Sequence, residues 1–336
     1  MQSLLVTGAS GFVGSFIVER ALEAGYDVWA AVRPSSSRRW LQDERIKFIE
    51  LDFSDASRLQ KQIAQHVAEN GVWNACIHAA GLTKCRHEEE FFEVNTRGTE
   101  RLARALMVGN ALTGKFVFVS SLSVAGPLHD DDLSAAISAA DAEHPNTAYG
   151  CSKLQAERAL AEVEGLDYVV LRPTGVYGPR EHDYFMMAES INKGIDFSVG
   201  FKPQRITFIY VRDLVEAALL AVERGRRGAV YYLSDGHTYS SRNFSDLLQQ
   251  NMQKHRVCHI CAPLWVLRIV CAVSGGLASA MGRTSTLNMD KYKILKQRNW
   301  QCDISPAREE LGYCPAWTLE KGVHETVEWY KENKWI

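Results

Sequence analysis

In the first half of the chain, short apolar runs alternate with longer stretches whose apolar positions recur every three or four residues. Residues 3–7, 27–32, 46–51, 72–78, 115–120 and 168–171 read as strands, apolar on both faces as in a sheet covered on both sides. Residues 12–24, 56–69, 88–108 and 149–164 have helical periodicity, with Gly25 and Asn70-Gly71 as stop signals. Strands separated by helices of this length predict a parallel sheet with right-handed crossovers.

The second half is less regular. Residues 211–224, 243–253 and 319–334 read as helices and 229–233 as a strand. Residues 303–311 read as a helix with a capping Asp303 and an early Pro306. Residues 263–281 are strongly apolar and open with Pro263. There are no repeats and no low-complexity linker. The pattern predicts a main body of residues 1–180, to which 205–235 return, and a smaller part made of 181–204 and 236–336.

The strongest local signal is Thr7-Gly8-Ala9-Ser10-Gly11-Phe12-Val13-Gly14, between a strand and a helix. In such a loop Gly8 permits a tight turn, Gly11 lets a pyrophosphate approach the backbone, and Gly14 lets the helix pack closely. An anion then sits at the helix N-terminus, held by free N–H groups and the helix dipole. Gly8, Ser10, Gly11, Phe12, Val13 and Gly14 are therefore candidate contacts to a dinucleotide. A second constellation is Tyr149-Gly150-Cys151-Ser152-Lys153. Tyr and Lys four apart share one helix face, separated by about 6 Å of axial rise. A nearby ammonium is expected to lower the phenol's pKa and fit it for proton transfer at a carbonyl or carbinol oxygen.

Together these motifs resemble the extended branch of the short-chain dehydrogenase/reductase superfamily, the NAD-dependent epimerase/dehydratase family, over roughly residues 3–330. Among its members the dihydroflavonol 4-reductase and 3β-hydroxysteroid dehydrogenase types are the most similar in pattern. The resemblance implies a Rossmann-type doubly wound α/β sheet with a smaller mixed α/β substrate domain at the C-terminal end. It implies a Ser-Tyr-Lys site, in which Tyr149 transfers the proton and Lys153 also holds the nicotinamide ribose. In Ser120-Ser121-Leu122-Ser123-Val124-Ala125-Gly126, alignment on Gly126 gives the hydroxyl that polarises the substrate to Ser121. Ser123 and Thr83 are candidate substrate contacts. Asp52 matches an adenine-contacting acid, with Phe53 bordering the adenine. Ala79, Ala80 and Gly81 match the cofactor-lining segment, and Pro173 and Val176 in Arg172-Pro173-Thr174-Gly175-Val176-Tyr177-Gly178-Pro179 would line the nicotinamide. Asn95 matches an asparagine that braces neighbouring strands.

An acid at the end of the second strand would bond the adenosine ribose in an NAD site. Here Val32 holds that position, and Arg33, Arg38 and Arg39 follow. Guanidinium groups suit a 2′-phosphate, which predicts NADP, with NADPH preferred and NAD still a usable cofactor. Two further departures bear on the reaction. Sugar-nucleotide members usually carry Asn where this chain has Gly175, and sugar dehydratases carry Asp-Glu where it has Leu122-Ser123. These favour reduction of a ketone, or oxidation of the alcohol, on a hydrophobic, lipid-like or polycyclic substrate; the competing reading is a nucleotide-sugar epimerase or dehydratase. Asp213 reads as an early-turn acid with a structural role.

Composition narrows the picture further. The 38 basic and 40 acidic side chains give a net charge of −2, which argues against a nucleic-acid partner. The eight cysteines are scattered and no basic, apolar leader precedes the first strand, so reduced thiols in a cytoplasm are expected. Cys258 and Cys261 have zinc-like spacing but no second ligand pair, and no metal is expected. Residues 257–281 are largely apolar, with a single Arg268. Pro263, Arg268 and Gly275-Gly276 disfavour a membrane span, leaving a packed core helix, a wall of the substrate pocket or peripheral membrane contact. Helices 88–108 and 149–164 are candidates for a homodimer interface, by resemblance.

The residues between the serine segment and Tyr149, 128–146, carry an acidic tip at His129-Asp130-Asp131-Asp132. They read equally as a cover over the substrate or a solvated excursion.

Overall fold

The computed structural model describes residues 2–280, 285 and 287–336. Seven parallel strands form the central sheet: β1 (Ser3–Thr7), β2 (Asp27–Val32), β3 (Lys47–Glu50), β4 (Ala75–His78), β5 (Phe116–Val119), β6 (Tyr168–Pro173) and, beyond the short β7 to β10, β11 (Val230–Leu233). Their order is β3-β2-β1-β4-β5-β6-β11, with every neighbouring pair parallel. This is the doubly wound Rossmann arrangement, whose order reverses between β1 and β4.

The strand alternation divides the interior into two cores. Leu4, Val6, Ile77, Val117 and Leu171 face one layer, made with α1 (Phe12–Glu23) and α7 (Val211–Arg224). Leu5, Cys76, Phe116, Phe118 and Val170 face the other, made with α2 (Ala56–Asn70), α4 (Gly98–Val108) and α5 (Ala148–Ala161). Both faces are covered, as the continuous apolar strands require. The helix predicted over 88–108 is composite: α3 (Glu88–Phe91), one π turn (Phe92–Arg97) and α4. The π turn holds Asn95 fully buried.

The remaining elements lie beyond the carboxyl ends of the strands or beside them. Here β7 (Gly175–Tyr177) pairs with β10 (Phe208–Tyr210), β8 (Ile195–Val199) with β12 (Cys258–Ala262), and β9 (Arg205–Ile206) with β13 (Asn299–Trp300). The helices are α6 (Asp183–Asn192), α8 (Asn243–Asn251), α9 (Leu264–Ala280), α10 (Met289–Leu295) and α11 (Leu319–Glu332). β8, β12, α6 and α10 are absent from the sequence reading. The helix expected over 303–311 narrows to a π turn at Ala307–Leu311. Met281, the end of the apolar stretch, lies outside the described residues. No described helix is long and apolar enough to cross a membrane.

Residues 128–146 are not a free excursion into solvent but dock on the segment around β13. Asp130 accepts the backbone N–H of Arg298 (2.8 Å), and Asn299 Nδ2 donates to the carbonyls of Asp132 and Ala135 (2.8 Å each). Ile137 exchanges backbone bonds with Gln301 and Asp303. Asp213, buried in α7, accepts the N–H groups of Ala316 (3.0 Å) and Trp317 (3.1 Å), so it anchors a distant segment rather than its own helix turn.

Candidate active site

The glycine loop lies at the sheet's order reversal. Gly8 has φ +67°, and a Cβ there would stand 2.7 Å from the Ala79–Ala80 backbone at the end of β4. Two constraints thus exclude a side chain, handedness and the close approach of the neighbouring strand. A Cβ on Gly14 would collide with the Gly8 carbonyl, so this glycine packs α1 against the turn itself rather than against the sheet. Gly11 is exposed at the N-cap with no capping side chain, leaving the first N–H groups of α1, beginning at Phe12 and Val13, open to an anion beside Ser10. The residues present therefore fit a dinucleotide pyrophosphate.

Around this cradle, Val32 ends β2, buried and in register with Glu50. The Arg33 N–H donates to Ser36 Oγ (3.0 Å), which shapes the following turn. The Arg38 guanidinium lies 4.3 Å over the Phe48 ring and that of Arg39 4.5 Å over Trp40. None of the three forms an ion pair among the described residues. Asp52 accepts from Ser54 and from Arg58 Nη1 (3.0 Å), and these bonds, Ser54's first, hold its carboxyl below the usual range. Phe53 meets His78 edge-on at 6.0 Å. Gly81 is exposed past β4, and a Cβ there would lie 3.2 Å from Lys153 Nζ. Thr83 is exposed on the same loop. Pro173 is buried at the end of β6, and Val176 is partly exposed in β7.

His78 is a fixed, neutral part of the scaffold. Thr99 Oγ1 donates to the Asn95 carbonyl (2.6 Å) and so accepts from His78 Nε2 (2.9 Å). His78 Nδ1 then accepts from the Thr7 hydroxyl (2.6 Å). Burial, aided by the Lys153 charge, pushes its pKa down to about 3. Asn95 bonds both backbone groups of Leu82 (2.7 and 3.0 Å) and Ser152 Oγ (3.0 Å). It therefore ties the loop after β4 to α5, rather than bracing strand to strand.

Tyr149 and Lys153 sit in the first two turns of α5. Thr147 caps that helix through the Gly150 N–H (3.0 Å), and Asp290 from α10 accepts the Ala148 N–H (2.9 Å). Ser121 caps the short 3₁₀ turn Leu122–Val124, its Oγ accepting the Ser123 N–H (3.1 Å). A Cβ on Gly150 would lie 2.5 Å from the Ser123 carbonyl, so the missing side chain lets this turn rest on α5 and brings Ser121 to Tyr149. The phenol is pushed up to about 12 by burial, against which the Ser121 hydroxyl bond acts. The expected depression by Lys153 is absent. That ammonium donates to the Val119 carbonyl (2.9 Å) and lies 4.6 Å over the Phe118 ring. Its own desolvation lowers it to about 8. Tyr149 thus stays protonated throughout the neutral range, the state in which a phenol can give a proton to a carbonyl oxygen.

Tyr184 is a site feature the sequence reading missed. Glu181 accepts the N–H groups of Asp183 (2.7 Å) and Tyr184 (2.6 Å), which fixes the start of α6. The Tyr184 hydroxyl fills the space that a side chain on Gly175 would need. The only sequence signal for it is an aromatic nine residues after a glycine, which carries no information by itself.

Lys153 sets an expected pH dependence. Cofactor capture by the free enzyme should weaken as pH rises through about 8, where the ammonium is lost. Because the folded-state value lies below the ordinary 10.5, the unfolded chain binds this proton more tightly. This group's contribution to stability therefore rises between about 8 and 10.5, as its desolvation penalty is relieved. Measuring kcat/KM for the cofactor against pH, beside urea midpoints, separates the two effects. A profile flat to pH 10 would contradict the assignment.

Comparison with known proteins places these features in a family. The family model for NAD dependent epimerase/dehydratase matches residues 4–234. A UDP-glucose 4-epimerase of Vibrio cholerae is 26% identical over 340 residues, covering 97% of this chain and 95% of that protein. The 4-hydroxy-2-methyl-3-oxo-4-farnesyl-3,4-dihydroquinoline-1-oxide ketoreductase of Stigmatella aurantiaca is also 26% identical, covering 95% and 93%. The structure of a Thermotoga maritima UDP-glucose 4-epimerase with UDP-glucose shares the fold, with TM-score 0.76 and 22% identity over 99% of this chain and all of that one. With a matched segment running from β1 to just past β11, the chain belongs to the NAD dependent epimerase/dehydratase family of the extended short-chain dehydrogenase/reductases, whose members are mostly NAD(P)-dependent oxidoreductases, epimerases and dehydratases.

Proposed function

We propose that the protein is an NADP-dependent reductase of a ketone on a hydrophobic, lipid-like or polycyclic substrate, also competent for the reverse oxidation. The observation that carries this reading is the Gly175–Tyr184 pair. Where sugar-nucleotide enzymes of this family are expected to present an amide, this chain has no side chain, and the Tyr184 hydroxyl fills the space. Leu122 and Ser123 stand where an elimination would need an acid–base pair. The farnesyl-ketone specificity in the name of the Stigmatella relative agrees with an apolar substrate.

When bound, NADPH supplies the hydride. The glycine loop and the α1 N-terminus would hold the pyrophosphate, and Arg33 and Arg38 would meet the 2′-phosphate. Lys153, next to Gly81, would hold the ribose. Ser121 and Tyr149 would both offer a hydroxyl to the carbonyl oxygen, and Tyr149 would give up its proton there. Asn95 and Asp290 keep α5 in place without touching the substrate.

The cofactor assignment has a direct test. A charge-assisted contact is worth about 1.5–3 kcal/mol, so the double variant Arg33→Ala/Arg38→Ala should raise KM for NADPH at least about tenfold and leave KM for NADH nearly unchanged. A wild-type preference for NADH of about tenfold or more would overturn it. The epimerase reading is favoured by the Vibrio relative's name. Tightly copurifying NAD and a thermal shift with UDP-sugars would establish it instead.

A further inference from the structure

The helix α9 carries apolar side chains both toward the protein and away from it. Leu267, Cys271, Ser274 and Gly275 face the protein, where Gly275 packs against Asn288 and Ser274 bonds Ser285 (2.8 Å). The opposite face follows the i, i+3, i+4, i+7 spacing of a core stripe: Trp265, Arg268, Ile269, Ala272, Val273 and Leu277. All six are exposed, Trp265 by 66%.

The apolar surface continues onto the neighbouring two-stranded sheet. Ile260 of β12 is in register with Phe197 of β8, and both are exposed. The turn after β8 carries Phe201, 74% exposed, and Cys261 Sγ bonds the Gly200 carbonyl (3.2 Å). A Cβ on Gly200 would lie 3.6 Å from Leu264, so this turn adjoins the first turn of α9. An exposed apolar area of this kind marks an interaction site rather than ordinary surface.

Charge identifies what covers it. The sequence has no Asp or Glu from residue 247 to 289, whereas Lys254, Arg256 and Arg268 lie in that stretch and Lys202 follows Phe201. Arg268 projects from the apolar face and forms no ion pair among the described residues. The acids on adjoining elements are already engaged: Asp196 by Arg242 (3.3 Å) and His259 (3.0 Å), Asp246 by Arg242 (2.6 Å), and Glu189 by Lys193 (2.9 Å). An aromatic and aliphatic face with cationic flanks and no carboxylates complements an anionic lipid surface. A protein partner built on this pattern would lack the acid–base pairing that usually rims such an interface.

We propose that α9 and the β8–β12 sheet form a peripheral docking face for the surface of an anionic membrane. The helix lies in the plane of the headgroups, with Trp265 and Phe201 as anchors. This assignment stands apart from the ketone reading, since vesicle binding is measured without substrate or cofactor.

The test is flotation of the full chain with vesicles of phosphatidylcholine alone and of an equimolar mixture with phosphatidylglycerol. Recovery should favour the anionic vesicles about tenfold or more. The triple variant Trp265→Ser/Ile269→Ser/Val273→Ser should lose binding to both while keeping the wild-type circular dichroism. Arg256→Glu/Arg268→Glu should lose only the preference for anionic vesicles, which a merely sticky surface would not. No recovery with either vesicle, or unchanged binding by the triple variant, would overturn the proposal. So would a wild-type dimer that the triple variant converts to monomer without any vesicle binding, since a second copy would then be the occupant.

Discussion

Replacing Tyr149 with Phe should lower the rate of ketone reduction at least about 100-fold, because a positioned acid is worth about 10²–10⁴ in rate. The ring stays in place: Phe91 meets it edge-on at 5.8 Å, and that contact does not involve the hydroxyl. The glycine loop, Lys153 and the β2 turn are untouched, so NADPH affinity should remain at the wild-type level. Steady-state kinetics beside fluorescence titration of NADPH read both quantities. Near-wild-type turnover would remove Tyr149 from the chemistry, and a parallel loss of cofactor affinity would make its role one of binding.

Replacing Glu157 with Ala should cost about 3–5 kcal/mol of folding stability, the usual penalty for stranding a buried charge. Arg172 is 3% exposed and donates to both Glu157 oxygens through Nε (3.1 and 3.2 Å) and to Oε2 through Nη2 (2.5 Å). Ser120 Oγ also donates to Glu157. One carboxylate thus joins α5, which carries Tyr149 and Lys153, to the end of β5 and to β6. Tyr232 (2.8 Å) and Glu143 (2.9 Å) keep partial hold of the guanidinium, which places the expectation at the lower end of that range. Urea unfolding measures it. The double variant Glu157→Leu/Arg172→Met should recover most of the loss, because the expense lies in the unpaired ion rather than in the missing pair. A loss under about 1 kcal/mol in Glu157→Ala would contradict this picture.

What could be read from the chain alone was whatever local spacing controls. The glycine loop lies within one strand–helix turn, and each strand's alternation partitions between two cores, so both were legible. The Tyr149–Lys153 pair was legible for the same reason, but its electrostatics were not. Four-residue spacing says that two side chains share a face; it does not say that the Val119 carbonyl takes the ammonium or that burial outweighs the Ser121 bond at the phenol. Other misses depend on contacts between distant segments. Gly150 is a glycine because of Ser123, and Gly175 because of Tyr184. Asp213 serves residues 103 and 104 positions away. Strands β8 and β12 escaped because the one buried side chain of β8 is the acid Asp196 and β12 is mostly exposed, so neither shows the apolar alternation that marks a buried face. In residues 128–146 the acidic tip suggested solvent, whereas Asp130 turns inward to backbone N–H groups of the segment around β13.

The central claim is that this site moves a hydride from a nicotinamide onto a ketone carbon for net reduction. Its most direct test uses NADPH deuterated at the hydride-donating carbon, a panel of hydrophobic ketones and mass spectrometry of the products. The expected result is an alcohol carrying one deuterium at the carbinol carbon, formed in step with NADP and suppressed in Tyr149→Phe. Interconversion of UDP-sugars by the same preparation, with tightly held NAD and no net consumption of NADPH, would contradict it.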